Sequence, residues 1–530
     1  MAGKQSLIIL ITLALCITSV KANQCKTFAG FDFLNYNELG KLVDKENEIP
    51  DAINKKYQIL LNTVFCNSDH SNPDNQIKLK QHPKIKEDYF RISHWNIERG
   101  MNLDAIIALL KRPEHYFQYM AKEKIKNEDE LDDEIKMLQD TDILSLNEVD
   151  LGMPRTGYRS VVQELAKALK ANYAFVPEFI ELDPEFLKAP QINKTKFRGI
   201  HGNAIISKYP IEKVSVIRLC DCYDWFGEEK EKLSFLEKAR RSSSKLVIEE
   251  KIETELRKGS RVALIADIRL PNNQIITVVN VHLENRTQPE CRVKQISEIL
   301  ARVKKQSNPV ILAGDMNNFE KSAEPVSFKK ATLGYLGNPA NLARATINAI
   351  NPYSVVVQPS LTALNAARKL NNPIASDTPV LLPNKTKKFF KLLENFVFDD
   401  DAQFDFTGDE HLSYKKKDGE LSNSNQRTNS GFVDTFKFKR HFGLGTFKID
   451  WIFAKPIIKD DCLGMQDFED FKPDCKMYYP AFGRTLKDLN ESFSSGRISD
   501  HAPVTVEIIV GKESEPKLKR KVKKVKAYMV

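Results

Sequence analysis

Six short segments place Asp, Asn, Glu or His at or just beyond the end of an apolar run: His94–Gly100, Leu144–Asp150, Val279–Asn285, Leu312–Asn317, Lys448–Phe453 and Ile498–Val504. One such segment means little, because a strand ending in Asp-x-Asn is usually a turn. Six with the same chemistry point to a common site. Carboxylates, amides and imidazoles on convergent strand ends make a hard-cation site together with an acid/base set. Oxygen donors of this kind suit Mg²⁺ or Mn²⁺, with Ca²⁺ also admitted, better than zinc. The pair Cys220-Asp221-Cys222 is a poor zinc site, since no second Cys/His pair stands at metal-ligand spacing.

The elements that must position these residues are short runs rich in Val and Ile. Strands are expected at Phe90–Trp95, Ile143–Asn147, Ala174–Pro177, Asn203–Ser207, Arg261–Arg269, Ile275–His282, Val310–Gly314, Lys448–Phe453 and Val504–Val510. Helical spacing sits between some of them, notably at Ser160–Lys170 and Arg292–Lys305. Strands mixed with helices predict an α/β layered domain, in which ligands bind beyond the carboxyl ends of strands.

That domain is expected over residues 86–512 of the 530, interrupted by a charged, helix-prone insert near 224–256 and a long mixed insert near 320–446. Residues 23–85 read as an N-terminal extension with helical spacing around Ile53 to Val64. Residues 1–22 read as an export signal: Lys4, then an apolar run from Leu7 to Val20, then a small-residue cleavage site ending at Ala22. The mature chain is therefore expected to be secreted or periplasmic, where its cysteines are free to pair. Cys25–Cys66 and Cys462–Cys475 are plausible local pairs, and sequence does not fix the connectivity.

Apolar residues make up 42% and charged residues 28%, a balance that excludes a largely disordered chain. Eight Cys are too few for a disulfide-built scaffold, and no run of 18 apolar residues supports a multi-pass membrane protein. The net charge of +9 is concentrated at the end of the chain, in a basic tail over 513–530. Between Lys517 and Lys526 stand seven Lys/Arg, and removing seven from 80 leaves 73 basic against 71 acidic residues. The body is near neutral, and only the tail offers contact to anionic surfaces. Nothing in the sequence points to an obligate protein partner.

In order along the chain, WNIERG, LNEVD, GNAIISKYPI, VNVHLEN, GDMNN, IDWIF and SDHAPV resemble the endonuclease/exonuclease/phosphatase superfamily, the deoxyribonuclease I-like fold. The resemblance runs from about Phe90 to Val510, with the two inserts as departures. It implies a four-layered sandwich of two packed mixed β-sheets flanked by helices. It also implies a divalent metal and an activated water acting on a phosphoester. Residue by residue, Glu148 resembles the principal metal carboxylate, with Asn96 and Asp500 as supporting metal or water ligands. Asp315 resembles the group that positions or deprotonates the water, and Asn317 the amide that holds a phosphate oxygen. His501 resembles the phosphate-contacting imidazole, Asp450 the carboxylate that orients it, and His282 the donor to the leaving group.

Elementary chemistry supports these roles. A phosphodiester is anionic and repels a nucleophile until a cation neutralises it. Water needs a proton acceptor, and the leaving alkoxide needs a proton that His can supply near neutral pH. Further candidates for substrate binding or support are Glu98, which shares a face with Asn96 if the strand persists, Glu178 as a partner of His282, Asn203, Arg155 and Arg286. His94 and His201 read as structural. The expected activity is phosphodiester hydrolysis, with nucleic acid favoured and a phospholipid or sphingomyelin head group as the alternative. A membrane-active enzyme needs exposed aromatics, and Phe389-Phe390 or Phe396–Phe406 read instead as core. Asp450 is followed by Trp451, which disfavours the inositol phosphatase branch. A catalytically inactive binding protein on the same fold is expected to lack one of Glu148, His282, Asp315, Asp450 or His501, and all five are present.

Overall fold

The Val- and Ile-rich runs form strands that fall into two main sheets, beside two two-stranded ribbons, Phe436–Lys437 with Thr446–Phe447 and Ile457–Ile458 with Lys476–Met477. The computed structural model describes residues 25–43, 48–67, 78–83, 86–111, 116–125, 127–182, 192–227, 256–287, 289–317, 387–405, 435–437, 446–459, 475–494 and 496–511. The export signal, the basic tail, Cys462 and most of both inserts lie outside these residues. In chain order the sheet strands are β1 (Phe65–Cys66), β2 (Lys80–Gln81), β3 (Asp88–Asn96), β4 (Ile143–Leu151) and β5 (Asn172–Glu181). There follow β6 (Ile200–Ser207), β7 (Ile211–Arg218), β8 (Arg257–Gly259), β9 (Val262–Arg269) and β10 (Ile275–His282). The last are β11 (Val310–Asp315), β12 (Asp450–Lys455), β13 (Tyr479–Thr485) and β14 (Val504–Ile509).

The larger, nine-stranded sheet runs β1-β5-β6-β4-β3-β14-β13, with β2 added to β3 and β8 to β5. The five-stranded sheet runs β12-β11-β10-β9-β7. Each contains one parallel pair, β3 with β4 and β10 with β11, and the remaining pairs are antiparallel. The sheets face each other across a core that includes Ile92, Ile143, Val176, Ile205, Leu264, Val278, Ile311, Ile452 and Val506. Helices Leu103–Lys111, Glu128–Gln139 and Val161–Leu169 cover the outer face of the larger sheet. Helices Pro289–Val303 and Lys387–Glu394 cover that of the smaller. The result is a four-layered α/β sandwich, as the family resemblance implies.

Each fully buried Val, Ile, Leu or Phe contributes roughly 1.5–3 kcal/mol. Because side chains alternate along a strand, the inward positions form a fixed series. On β3 it reads Ile92, His94, Asn96; on β4, Ile143, Ser145, Asn147; on β6, Ile205, Asn203, His201. On β10 it reads Val278, Asn280, His282; on β11, Ile311, Ala313, Asp315; on β12, Ala454, Ile452, Asp450. Each series turns from apolar to polar toward the same end of the inter-sheet space. That end is the site.

Two features differ from the sequence reading. The described residues of the 23–85 extension join the larger sheet: β1 pairs with β5, β2 pairs with β3, and Phe28, Phe31 and Phe33 pack on its core. Strands β7 and β13 carry no strand signal in the sequence reading, and β7 is an edge with Glu212 and Lys213 exposed near its start. Cys25–Cys66 is a disulfide, as expected, and Cys222–Cys291 is a second that sequence spacing did not suggest. Cys475 is also disulfide-bonded, to a partner beyond the described residues. Phe389, Phe390, Phe398 and Phe404 are buried, so these aromatics of the long insert serve the core.

Gly314 lies where β11 meets β10, one residue before Asp315. A Cβ there would stand 2.0 Å from the Val281 carbonyl oxygen. Gly314→Ala is expected to cost about 1–3 kcal/mol by forced displacement of the two strands. Gly40→Ala, in the helix Tyr36–Lys41 with nothing within 4 Å, is expected to be neutral or to stabilise by about 0.5–1 kcal/mol. Denaturant unfolding of both variants checks this pair.

Candidate active site

Strand register builds the centre of the site. His282 ends β10 and stands opposite Asp315, which ends β11. Asp315 in turn stands opposite Asp450, which begins β12. Three functional side chains therefore form one row across the smaller sheet. Asn96 and Asn147 form the matching pair on β3 and β4 of the larger sheet.

Asp315 is the hub of these contacts. Its Oδ2 lies 3.7 Å from His282 Nε2 and 3.7 Å from His501 Nε2, and Asn96 Nδ2 donates to it at 3.3 Å. Its Oδ1 accepts from the Asn317 backbone N–H at 2.9 Å. Burial and the nearby Asp450 carboxylate push the Asp315 carboxyl up from the ordinary aspartate value, against the pull of His501 and His282. A carboxylate so placed suits proton acceptance.

His501 lies in the loop entering β14. Trp95 Nε1 donates to its carbonyl at 2.9 Å, and its own N–H donates to Ser499 Oγ at 3.2 Å. Its Nδ1 donates to Asp450 Oδ2 at 2.8 Å, which turns Nε2 toward Asp315. The other Asp450 oxygen accepts from His94 Nε2 at 3.1 Å. Burial opposes a charge on His501, but Asp450, Asp500 and Asp315 carry its pKa well above the usual histidine value. Burial likewise opposes the Asp450 carboxylate, and His501 and His94 hold it well below the usual range. The pair is an imidazolium clamped on a carboxylate. His94, read as structural, is the second clamp.

Glu148 is aimed by a backbone irregularity. The pairing of β4 with β6 shifts register between Leu146 and Val149, and Glu148 sits in that bulge with φ of 54°. A bulge of this kind redirects a side chain at a strand end. Burial opposes its charge, yet the fields of His201, Arg99, His282 and His501 hold the carboxylate well below the usual range. Asp500 is partly exposed, and its N–H donates to Glu98 Oε2 at 3.2 Å.

Asp315, Asp450 and His501 offer ligand atoms within 4.8 Å of one another. Both Asp450 oxygens are already engaged, so this trio reads as an oriented acid/base group and not as a cation cage. Oxygen donors that could hold a hard divalent cation are Glu148, held anionic and re-aimed by its bulge, Asn96 and Asp500.

The remaining sequence candidates divide. Glu178 faces His282, with Oε2 3.4 Å from Nδ1. Asn203 is buried opposite the β4 bulge, and its Oδ1 accepts from Asn147 Nδ2 at 3.0 Å. Glu98 does not share a strand face with Asn96, because β3 ends at Asn96. It reaches Asp500 from a tight turn with φ of 46°, where Asn96 Oδ1 accepts its N–H at 3.2 Å. Arg155 is not placed for substrate phosphate: Asp150 and Glu181 each take two of its hydrogen bonds, at 2.6–2.9 Å. Arg286 lies 4.7 Å over the Trp225 ring. Asn317, expected to hold a phosphate oxygen, donates from Nδ2 to the Leu283 carbonyl at 2.9 Å. His201 pairs with Asp150 at 3.0 Å, in keeping with a structural role.

Sequence reasoning missed Asn147, Asn280 and Arg261. Asn147 Oδ1 accepts from the Asp315 N–H at 3.0 Å, and its Nδ2 donates to Asn280 Oδ1 at 3.0 Å. The available signal was period two: Asn147 shares a face with Ser145, and Asn280 with His282, inside otherwise apolar runs.

A family model described as the Endonuclease/Exonuclease/phosphatase family matches residues 94–501. No curated protein matches. Among solved structures, the endonuclease/exonuclease/phosphatase from Beutenbergia cavernae shares 14% identity, over 80% of this chain and 72% of that one, with a TM-score of 0.34. The human Nocturnin catalytic domain with bound sulfate shares 14% over 80% of this chain and 94% of that one, at 0.33. ANGEL2, a 2',3'-cyclic phosphatase, shares 14% over 81% and 97%, at 0.33. Members of the matching family are hydrolases of phosphoester bonds and generally depend on a divalent metal. With residues 94–501 of its 530 matched, this chain belongs to the endonuclease/exonuclease/phosphatase family.

Proposed function

We propose that the protein is a secreted, divalent-metal-dependent phosphodiesterase, with nucleic acid as its favoured substrate class. The observation that carries the reaction type is Asp315 flanked by two imidazoles at 3.7 Å, each backed by its own carboxylate. Mg²⁺ or Mn²⁺ held by Glu148, Asn96 and Asp500 would supply charge neutralisation and polarise the P–O bond. The protein's own residues divide the rest. Asp315 accepts the proton of the attacking water. His501, held cationic by Asp450, faces the phosphoryl oxygens. His282, with Nδ1 turned to Glu178, donates from Nε2 to the departing oxygen when its ring carries both protons.

Burial of Phe389, Phe390, Phe398 and Phe404 supports nucleic acid over a lipid head group, because a lipid phosphodiesterase using those aromatics would have to expose them. Two disulfides support export to an oxidising compartment.

The experiment is a panel of DNA, RNA, sphingomyelin, phosphoinositides and bis(4-nitrophenyl) phosphate, each with Mg²⁺, Mn²⁺ or chelator. Hydrolysis is expected to vanish in chelator after metal stripping and to return with Mg²⁺ or Mn²⁺ without added zinc. Full activity of the stripped protein in chelator would end this reading.

His282→Ala and His501→Ala are each expected to lower kcat by about 10²–10⁴-fold, the usual range for a general acid–base group. Asp450→Asn is expected to resemble His501→Ala, and the double variant to cost little more than the deeper single, because groups acting as a unit are non-additive. Steady-state kinetics on the best substrate decides this. Strict multiplicativity in the double variant would break the Asp450–His501 unit.

A further inference from the structure

We propose that Arg261 is a positioning residue for His282, acting through Glu178; this rests on the phosphodiesterase reading above. Three observations carry it.

The first is how Glu178 is delivered. The pairing of β5 with β6 shifts register between Pro177 and Phe179, so Glu178 occupies a bulge, as Glu148 does on β4. Gly259 on β8 permits the close approach behind it: a Cβ there would stand 2.2 Å from the Glu178 carbonyl oxygen. The carboxylate is wholly buried and lies 3.4 Å from His282 Nδ1.

The second is what sustains that carboxylate. An ionised carboxylate out of water persists only when paired. Arg261, itself 2% exposed, supplies the charge, with Nη1 3.2 Å from Glu178 Oε2. Burial opposes the charge on Glu178, yet Arg261 first and His282 second bring its pKa down to about 2. A protonated Glu178 could no longer serve as a fixed acceptor for the Nδ1 proton, and the His282 tautomer would be lost.

The third is that Arg261 is held in turn. Its Nε lies 3.4 Å from Glu284 Oε2. That oxygen also accepts from Trp225 Nε1 at 2.9 Å, and the Glu284 N–H donates to Gln295 Oε1 at 3.0 Å. One planar guanidinium thus faces two fixed carboxylates, a geometry that lysine cannot reproduce. The chain Trp225, Glu284, Arg261, Glu178 ends 3.4 Å from His282 Nδ1, at ion-pair distance without a formed hydrogen bond, and leaves Nε2 toward Asp315.

The test compares wild type, Arg261→Met, Arg261→Lys, Glu178→Gln and the Arg261→Met/Glu178→Gln double variant on bis(4-nitrophenyl) phosphate with Mg²⁺. In parallel, long-range ¹⁵N–¹H spectra read the His282 tautomer. Loss of a partner that orients a functional histidine typically costs about 10–100-fold. Arg261→Met and Glu178→Gln are each expected to lower kcat by about that factor with KM little changed, and the double variant to match the deeper single. In its neutral form, His282 of wild type is expected to show one tautomer, protonated at Nδ1, and that of Arg261→Met a mixture. Wild-type kcat in Arg261→Met, a multiplicative double variant or an unchanged His282 spectrum would each overturn the proposal. Should Arg261→Met fail to fold, Arg261→Lys carries the same test, since it keeps a cation but can face only one carboxylate. A wild type inactive on every phosphodiester would count against the phosphodiesterase reading, and the spectra would still decide the role of Arg261.

Discussion

One buried amide joins the two sheets at the place where chemistry is concentrated. Asn147, on β4 of the larger sheet, accepts the backbone N–H of Asp315 on β11 of the smaller. The same side chain donates to Asn280 on β10 and to Asn203 on β6. A buried donor or acceptor deprived of its partner costs about 1–3 kcal/mol, so this set holds only one mutual arrangement of the strand ends. Elsewhere the inter-sheet contact is apolar and non-directional. Here it is directional, and the position of Asp315 relative to Asn96 and Glu148 follows from it.

The same end of the sandwich concentrates charge without scattering it. Several buried charges there have a companion: Asp450 with His501 and His94, Glu178 with Arg261, Arg155 with Asp150 and Glu181. Such pairing keeps buried charges from neutralising themselves by a change of protonation. Glu148 differs, being held anionic by the summed field of His201, Arg99, His282 and His501.

Much of this was legible in the sequence, for a physical reason. The inner strands are long, branched and bounded by polar ends, so β3, β4, β10 and β11 and the residues at their carboxyl ends stood out. His282, Asp315, Asp450 and His501 converge as their motif positions implied. Edge strands β7 and β13 escaped because edges lack a continuous apolar run. The left-handed turn at Glu98 is not legible, because such turns in non-glycine residues leave little trace in sequence. Arg155 and Arg261 illustrate the converse limit. Both are arginines near a motif, and only the fold reveals that one closes an ion pair away from Asp315 while the other stands behind His282. The disulfide Cys222–Cys291 joins residues 69 positions apart, a pairing that folding alone selects.

The central claim is that the polar end of the inter-sheet core is a hard-cation site built on Glu148. Mn²⁺ binding, followed by calorimetry on metal-stripped protein, tests it without reference to any substrate. Removing a carboxylate ligand weakens a hard-cation site sharply. Wild type is expected to bind Mn²⁺ at a site whose affinity falls at least about tenfold in Glu148→Gln, with the unfolding transition retained. Equal affinity in wild type and a folded Glu148→Gln variant would contradict the account.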